Sequence, residues 1–153
     1  MLSQKGRYAL RALIVLAEHA REHPMMISEI AEQAKVPRKF LEQILLDLKR
    51  RGIVRSLRGR QGGYLLGREP KDITFADVIR QTDGPLALSP CVSATAYHRC
   101  ADCVDEATCA IRRVLLAARD ATAAVLESST LASAAPLRRS GMTAQVRRPK
   151  RAA

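Results

Sequence analysis

The chain has no tryptophan, and only 3% of its 153 residues are aromatic. Proteins that hold single-stranded nucleic acid stack successive bases on aromatic rings, so that mechanism lacks its raw material here. Long apolar runs are missing too. The best candidate, Ala12 to Ala17, lies between Arg11 and Glu18, far short of the roughly 20 residues that a membrane-spanning helix needs. A signal peptide also requires a longer uninterrupted apolar stretch, so this segment reads as a helix of a folded domain, and the protein is expected in the cytoplasm with no membrane partner. Cysteine is absent everywhere except one short stretch holding Cys91, Cys100, Cys103 and Cys109. In a reducing compartment such crowding points to metal or redox chemistry over structural disulfides.

With 47% hydrophobic residues, the chain can build one modest domain with a core, plus appendages. Its net charge of +11 is unevenly spread. Residues 1–80 carry 16 Lys/Arg against 9 Asp/Glu, residues 81–137 carry 4 against 6, and the tail from Arg138 carries 6 against none. The basic N-terminal part is therefore the face expected to meet a polyanion, and the cysteine region has another task. No acid–base pair or nucleotide-binding loop is visible, which argues against an enzyme. An electron carrier using the same cysteines would have no need of the basic hairpin described next.

Apolar periodicity predicts a first helix from Tyr8 to about Ala20, with Leu10, Leu13, Ile14 and Ala17 on one face and Val15 and Leu16 widening it. Ser28 can cap a short second helix from Glu29 to about Ala34. Pro37 opens a third helix that runs to about Arg51, with Leu41, Ile44, Leu45 and Leu48 inward and Gly52 as its stop. Ile53–Leu57 and Tyr64–Leu66 then read as two short strands joined by the glycine-rich tip Arg58-Gly-Arg-Gln-Gly-Gly63. Thr74 with Asp77 forms a capping box for a fourth helix through about Gln81. The last helix begins near Cys109 and carries an apolar seam of Ile111, Leu115, Ala118, Thr122 and Val125, a spacing suited to a partner helix. The expected fold is mainly α: a winged helix-turn-helix with a small β-hairpin wing and a long C-terminal dimerisation helix. Its divisions are a DNA-binding domain over 1–83, a cysteine loop over 84–108, the dimerisation helix over 109–129 and a disordered basic tail over 130–153.

Arg38, Lys39, Glu42 and Gln43 fall on the polar side of the third helix, in the half that enters a major groove. Arg and Gln can make paired hydrogen bonds to guanine and adenine, and Glu can accept one from cytosine. A solvated helix face would look similar, but the capped helix before it and the basic hairpin after it favour groove contact. Arg58, Arg60 and Arg68 bracket the wing glycines, and Gln61 and Tyr64 share the hairpin. Such a tip can approach DNA closely while its arginines reach phosphates. With Ser28 near the start of the second helix, these residues form the expected DNA-binding set. The cysteine spacing, Cys91-x8-Cys100-x2-Cys103-x5-Cys109, matches neither a zinc ribbon nor a ferredoxin run. Thiolates suit zinc and iron–sulfur centres about equally, and free thiols without a metal are the third option. A thioredoxin-type motif is excluded by the absence of a surrounding βαβ pattern.

Lys5-Gly-Arg-Tyr-Ala9, Ile30-Ala31, Phe40-Leu-Glu-Gln-Ile44, Leu48-Lys-Arg-Arg-Gly-Ile-Val54 and above all Arg58-Gly-Arg-Gln-Gly-Gly-Tyr-Leu-Leu-Gly67 resemble the Rrf-two superfamily of bacterial transcriptional regulators over roughly residues 1–130. The resemblance implies a homodimer on a double-stranded DNA operator, commonly as a repressor. It also implies a 2Fe–2S or 4Fe–4S cluster that responds to iron, redox state or nitric oxide. By the same resemblance Cys91, Cys103 and Cys109 are the metal ligands, and Cys100 is an addition and a candidate fourth ligand. Where some relatives place a histidine three residues after the last cysteine, this chain has Arg112. The fourth position is thus open to Cys100, His98, Asp105 or an exogenous group. Since some relatives hold no cluster, structural zinc or a metal-free thiol switch also stays open.

Overall fold

The computed structural model describes residues 2–19, 23–59 and 61–139. Helix α1, Gln4–Glu18, starts earlier than the apolar pattern predicts because Ser3 caps it, its hydroxyl accepting from the Gly6 N–H at 3.0 Å. Its Ala9, Leu10, Ala12, Leu13, Val15 and Leu16 are all buried, so more than one side of the helix faces the core, as its composition implies. Helix α2, Ile27–Ala34, begins two residues before the expected start. Met26 occupies the cap position and its N–H donates to the Glu29 carboxylate at 2.8 Å. Ser28 is therefore not the cap; it is an exposed residue of the first turn. Lys35 ends α2 in the left-handed region at φ 53° and turns the chain toward α3, Arg38–Arg50.

Pro37 precedes α3, whose Leu41, Ile44, Leu45 and Leu48 are buried as the stripe predicts. Each such side chain contributes about 1.5–3 kcal/mol on burial, which makes this stripe a main anchor of α3. Gly52, at φ +70°, closes α3: its N–H donates to the Lys49 carbonyl at 3.0 Å and that of Ile53 to Leu48 at 3.0 Å. Strands β1, Val54–Leu57, and β2, Gly63–Leu66, pair antiparallel with Val54 opposite Leu66 and Leu57 opposite Gly63. Met25 adds a one-residue bridge to Tyr64. That approach requires Gly63, since a β-carbon there would lie 2.4 Å from the Met25 carbonyl oxygen. The wing is thus locked to the segment before α2.

Helix α4, Phe75–Thr82, carries the predicted reciprocal cap, Asp77 N–H to Thr74 Oγ1 at 3.0 Å and Thr74 N–H to Asp77 Oδ2 at 3.2 Å. After the cysteine segment comes α5, Ala110–Ser128, none of whose residues is buried within the chain. Ile111, Val114 and Val125 are 71%, 64% and 63% exposed and Leu115 is half-buried, with Ile111 and Leu115 both bordering one cavity. Val114 thus widens the exposed apolar side of α5 beside the predicted seam of Ile111, Leu115 and Val125.

A second difference follows α5. Instead of a disordered tail from residue 130, the chain forms α6, Leu131–Arg139, and returns to the first domain. The Leu131 N–H donates to the Ile73 carbonyl at 3.0 Å, the Phe75 N–H donates to Ser129 at 2.9 Å, and the Leu131 side chain is fully buried in the core. An Ala/Ser/Pro-rich composition conceals this because one leucine supplies the anchor. The rest of the expected tail, 140–153, lies outside the described residues.

Candidate nucleic-acid interface and cysteine cavity

Arg38, Lys39, Glu42 and Gln43 are all exposed on the first half of α3. Arg38 Nε lies 3.1 Å from Glu42 Oε1, and Gln43 Nε2 donates to Asp47 Oδ1 at 3.1 Å. The Arg38–Glu42 pair, one helical turn apart, is 63% and 54% exposed in its side chains, so it is cheap to rearrange against base edges. Asp47 faces back: Lys5 Nζ lies 2.7 Å from its carboxylate. The Lys5 hydrogen bond holds that carboxyl below its usual range against a smaller opposing effect of burial, with Gln43 and Arg50 assisting. This acid is therefore neutralised on the side of α3 nearest α1.

Arg58 and Gln61 are exposed at the wing, while Arg60 lies outside the described residues. Tyr64 differs from a free contact residue: it is half-buried and packs against the core, so it braces the wing's base. Arg68 is drawn toward α4, 3.9 Å from the Asp77 carboxylate and donating to the Asp72 carbonyl at 3.4 Å. The sequence reading missed Phe40. It is 60% exposed beside Arg38 and Glu42, and its ring meets Tyr8 edge-on at 6.3 Å. The available signal was its register, one position out of the buried stripe that starts at Leu41. An apolar ring there can contact thymine methyl groups.

The four cysteines line one cavity of about 390 Å³ at the N-terminal end of α5, together with Ser89, Asp102, Asp105, Arg112 and Leu115. Cys91 is buried in the tight turn Pro90–Val92. Cys109 caps α5, its sulfur accepting from the Arg112 N–H at 3.4 Å. Cys100 and Cys103 share a turn closed by the Cys103 N–H donating to the Cys100 carbonyl at 3.2 Å. The Arg99 guanidinium braces it by donating to the Cys103 and Val104 carbonyls at 3.1 and 3.3 Å. Ser89 Oγ sits 3.4 Å from the Cys91 sulfur and 3.9 Å from that of Cys100. The Cys91 contact raises the Cys100 thiol's pKa, with Ser89 opposing and burial and Asp102 adding to the rise. Ser89 had no signal in the sequence.

Among the described residues, no three His, Cys, Asp or Glu side chains converge at the spacing of one ion. Tetrahedral zinc needs its sulfurs about 3.8 Å apart, given Zn–S bonds near 2.3 Å. In a polynuclear iron–sulfur centre different irons take different cysteines, and all four thiols border the one cavity. The donor set and the cavity therefore fit such a cluster.

The family described as Rrf2, an iron-dependent transcriptional regulator, matches residues 2–136. The chain belongs to the Rrf2 family. An rrf2-like HTH-type transcriptional regulator of Rhodobacter capsulatus is 49% identical over 117 residues, covering 74% of this chain and 78% of that protein. The structure of CymR, the global cysteine regulator of B. subtilis, superposes with a TM-score of 0.74 at 35% identity, covering 90% of this chain and 97% of that one. That of T. potens IscR gives 0.70 at 30% identity, covering 97% and 93%. This Rrf2-family chain is thus a winged-helix transcriptional regulator and not an enzyme. Among its described residues no helix is long and apolar enough to cross a membrane.

Proposed function

We propose that this Rrf2-family regulator acts in the cytoplasm as a homodimer on a double-stranded DNA operator, as a repressor, with Cys91, Cys103 and Cys109 holding a 2Fe–2S or 4Fe–4S cluster that controls binding. The observation that carries the regulatory half is the single cavity shared by all four thiols at the start of α5. When bound, the cluster supplies an iron- and oxidant-sensitive link between the loop and α5. Cys109 caps that helix, so holding or releasing its sulfur bears on the helix that carries the exposed Ile111, Val114 and Val125. A second copy covering that stripe would set two α3 helices on the two halves of a dyad operator. Ser28, Arg38, Lys39, Glu42, Gln43, Arg58, Arg60 and Gln61 form the DNA-binding set, with Arg38, Glu42 and Gln43 meeting bases, Arg58 phosphate, and Tyr64 bracing the wing from its base.

The likeness to a cysteine regulator supports a second reading, a metal-free thiol switch in the same cavity. Anaerobic purification with visible spectra, iron, sulfide and zinc analysis and mobility shifts on genomic operators decides between them. Iron and sulfide with charge-transfer bands, and operator affinity that changes on cluster loss, are the expected result. A colourless, metal-free protein whose affinity follows thiol oxidation would replace the cluster reading, and zinc at one per chain would overturn both.

A further inference from the structure

We propose that Cys100, the cysteine added to the family's three, is the fourth protein ligand, giving the cavity an all-thiolate donor set. The inference rests on the cluster reading above and adds to it the identity of the last ligand. Of the open candidates, His98 is exposed and does not line the cavity; its backbone N–H is tied to the Pro90 carbonyl at 3.2 Å. Asp105 does line it, but its carboxylate is already engaged, accepting from Thr108 Oγ1 at 2.7 Å and from the Thr108 and Ala107 N–H groups at 3.2 Å each. To ligate iron it would give up the turn that leads into Cys109. Arg112, at the place of the relatives' histidine, is a permanent cation and cannot ligate.

Cys100 has what the others lack. Its sulfur lies 3.9 Å from Ser89 Oγ, which also lies 3.4 Å from the Cys91 sulfur, so two thiols and one hydroxyl form one wall. The backbone turn to Cys103, braced by Arg99, presents it from the same loop as an accepted ligand. It is half-buried, reachable by iron yet screened from bulk water. Asp102 also borders the cavity but is exposed, and iron–sulfur centres take thiolate ahead of carboxylate. Ser89 would then donate to bound thiolate, a hydrogen bond of the kind that tunes such centres.

The test uses full-length protein reconstituted anaerobically: wild type, Cys100→Ala, Cys100→Ser, Cys103→Ala and His98→Ala. Iron and sulfide content, resonance Raman bands of the iron–cysteine bonds and the rate of iron release to a ferrous chelator are measured on each. Cys100→Ala should either lose most of its iron or release one iron at least about tenfold faster, the scale of losing a metal-supporting partner. Cys100→Ser should retain iron with shifted Raman bands, since oxygen replaces sulfur, and His98→Ala should match wild type. If Cys100→Ala and Cys100→Ser match wild type in all three readouts while Cys103→Ala loses its iron, the fourth-ligand assignment is overturned and the cluster reading stands. If wild type itself assembles no cluster, the parent reading fails and this one with it. A Cys100→Ala chain that does not fold, judged by its thermal transition, leaves the serine variant's bands to decide.

Discussion

Leu131→Ala tests the return of the chain after α5 to the DNA-binding domain. Leu131 is fully buried among the core residues, and the backbone on either side is bonded to Ile73 and Phe75. Deleting a buried leucine's outer atoms costs roughly 2–5 kcal/mol, the larger values where neighbours cannot close the void. Here the neighbours belong to helices fixed by other contacts, so the middle of that range, about 3 kcal/mol, is expected. For a chain of this size that corresponds to a fall in Tm of roughly 10 °C. Circular dichroism during heating and urea titration would measure it, at equal protein concentration because self-association shifts apparent stability. A chain ending at residue 139 should melt where the full chain does. A loss below about 0.5 kcal/mol for Leu131→Ala, the scale of an ordinary surface substitution, would refute the seating of α6 in the core.

Arg58→Ala should weaken binding to most sequences and lower the slope of log affinity against log salt by about one unit; mobility shifts across a salt series check it, and an unchanged slope removes Arg58 from the phosphate contacts. Glu42→Ala should change which operators are tolerated, because a carboxylate near phosphates serves discrimination and its loss also frees Arg38; a binding-site selection returning the same motif for both proteins counts against that role. Asp47→Asn should destabilise the domain at neutral pH. Its folded carboxyl titrates below the ordinary aspartate value, so the contribution is full above that ordinary value and is lost as pH falls through the lower folded value. Acid titrations in which the gap between wild type and variant fails to close would contradict the Lys5 pairing. Val114→Glu should place a charge in the outer stripe of α5 and yield monomers in analytical ultracentrifugation; an intact dimer would move the interface elsewhere.

The helix-turn-helix was legible because its helices advertise themselves twice, by apolar period and by local end signals. Leu41, Ile44, Leu45 and Leu48 mark one buried face, and Gly52 and Thr74 stop and start elements where the chain geometry demands it. Local rules misled where a tertiary contact decides. Ser28 has the chemistry of a cap, yet Glu29 satisfies Met26 and shifts the helix start. Tyr64 reads as part of an exposed wing until its bridge to Met25 is seen.

The cysteine segment shows the same division more sharply. Spacing alone says that four thiols are close in the chain, but not that they face one void, since a stretch without periodicity gives no direction to its side chains. Direction comes from four unrelated local devices: the turn at Pro90, the Cys100–Cys103 turn braced by Arg99, the Asp105 turn and the start of α5 at Cys109. Both ends of α5 are then held. At one end is the cavity; at the other Arg80 of α4 pairs with Glu127, and the chain passes directly into Leu131 in the core. Between those ends Ile111, Val114 and Val125 stay exposed. Beyond α5 the chain enters α6, which sits against α1, and Lys5 of α1 pairs with Asp47 of α3. These contacts are the route by which the proposed control at the thiols would reach α3 within one chain.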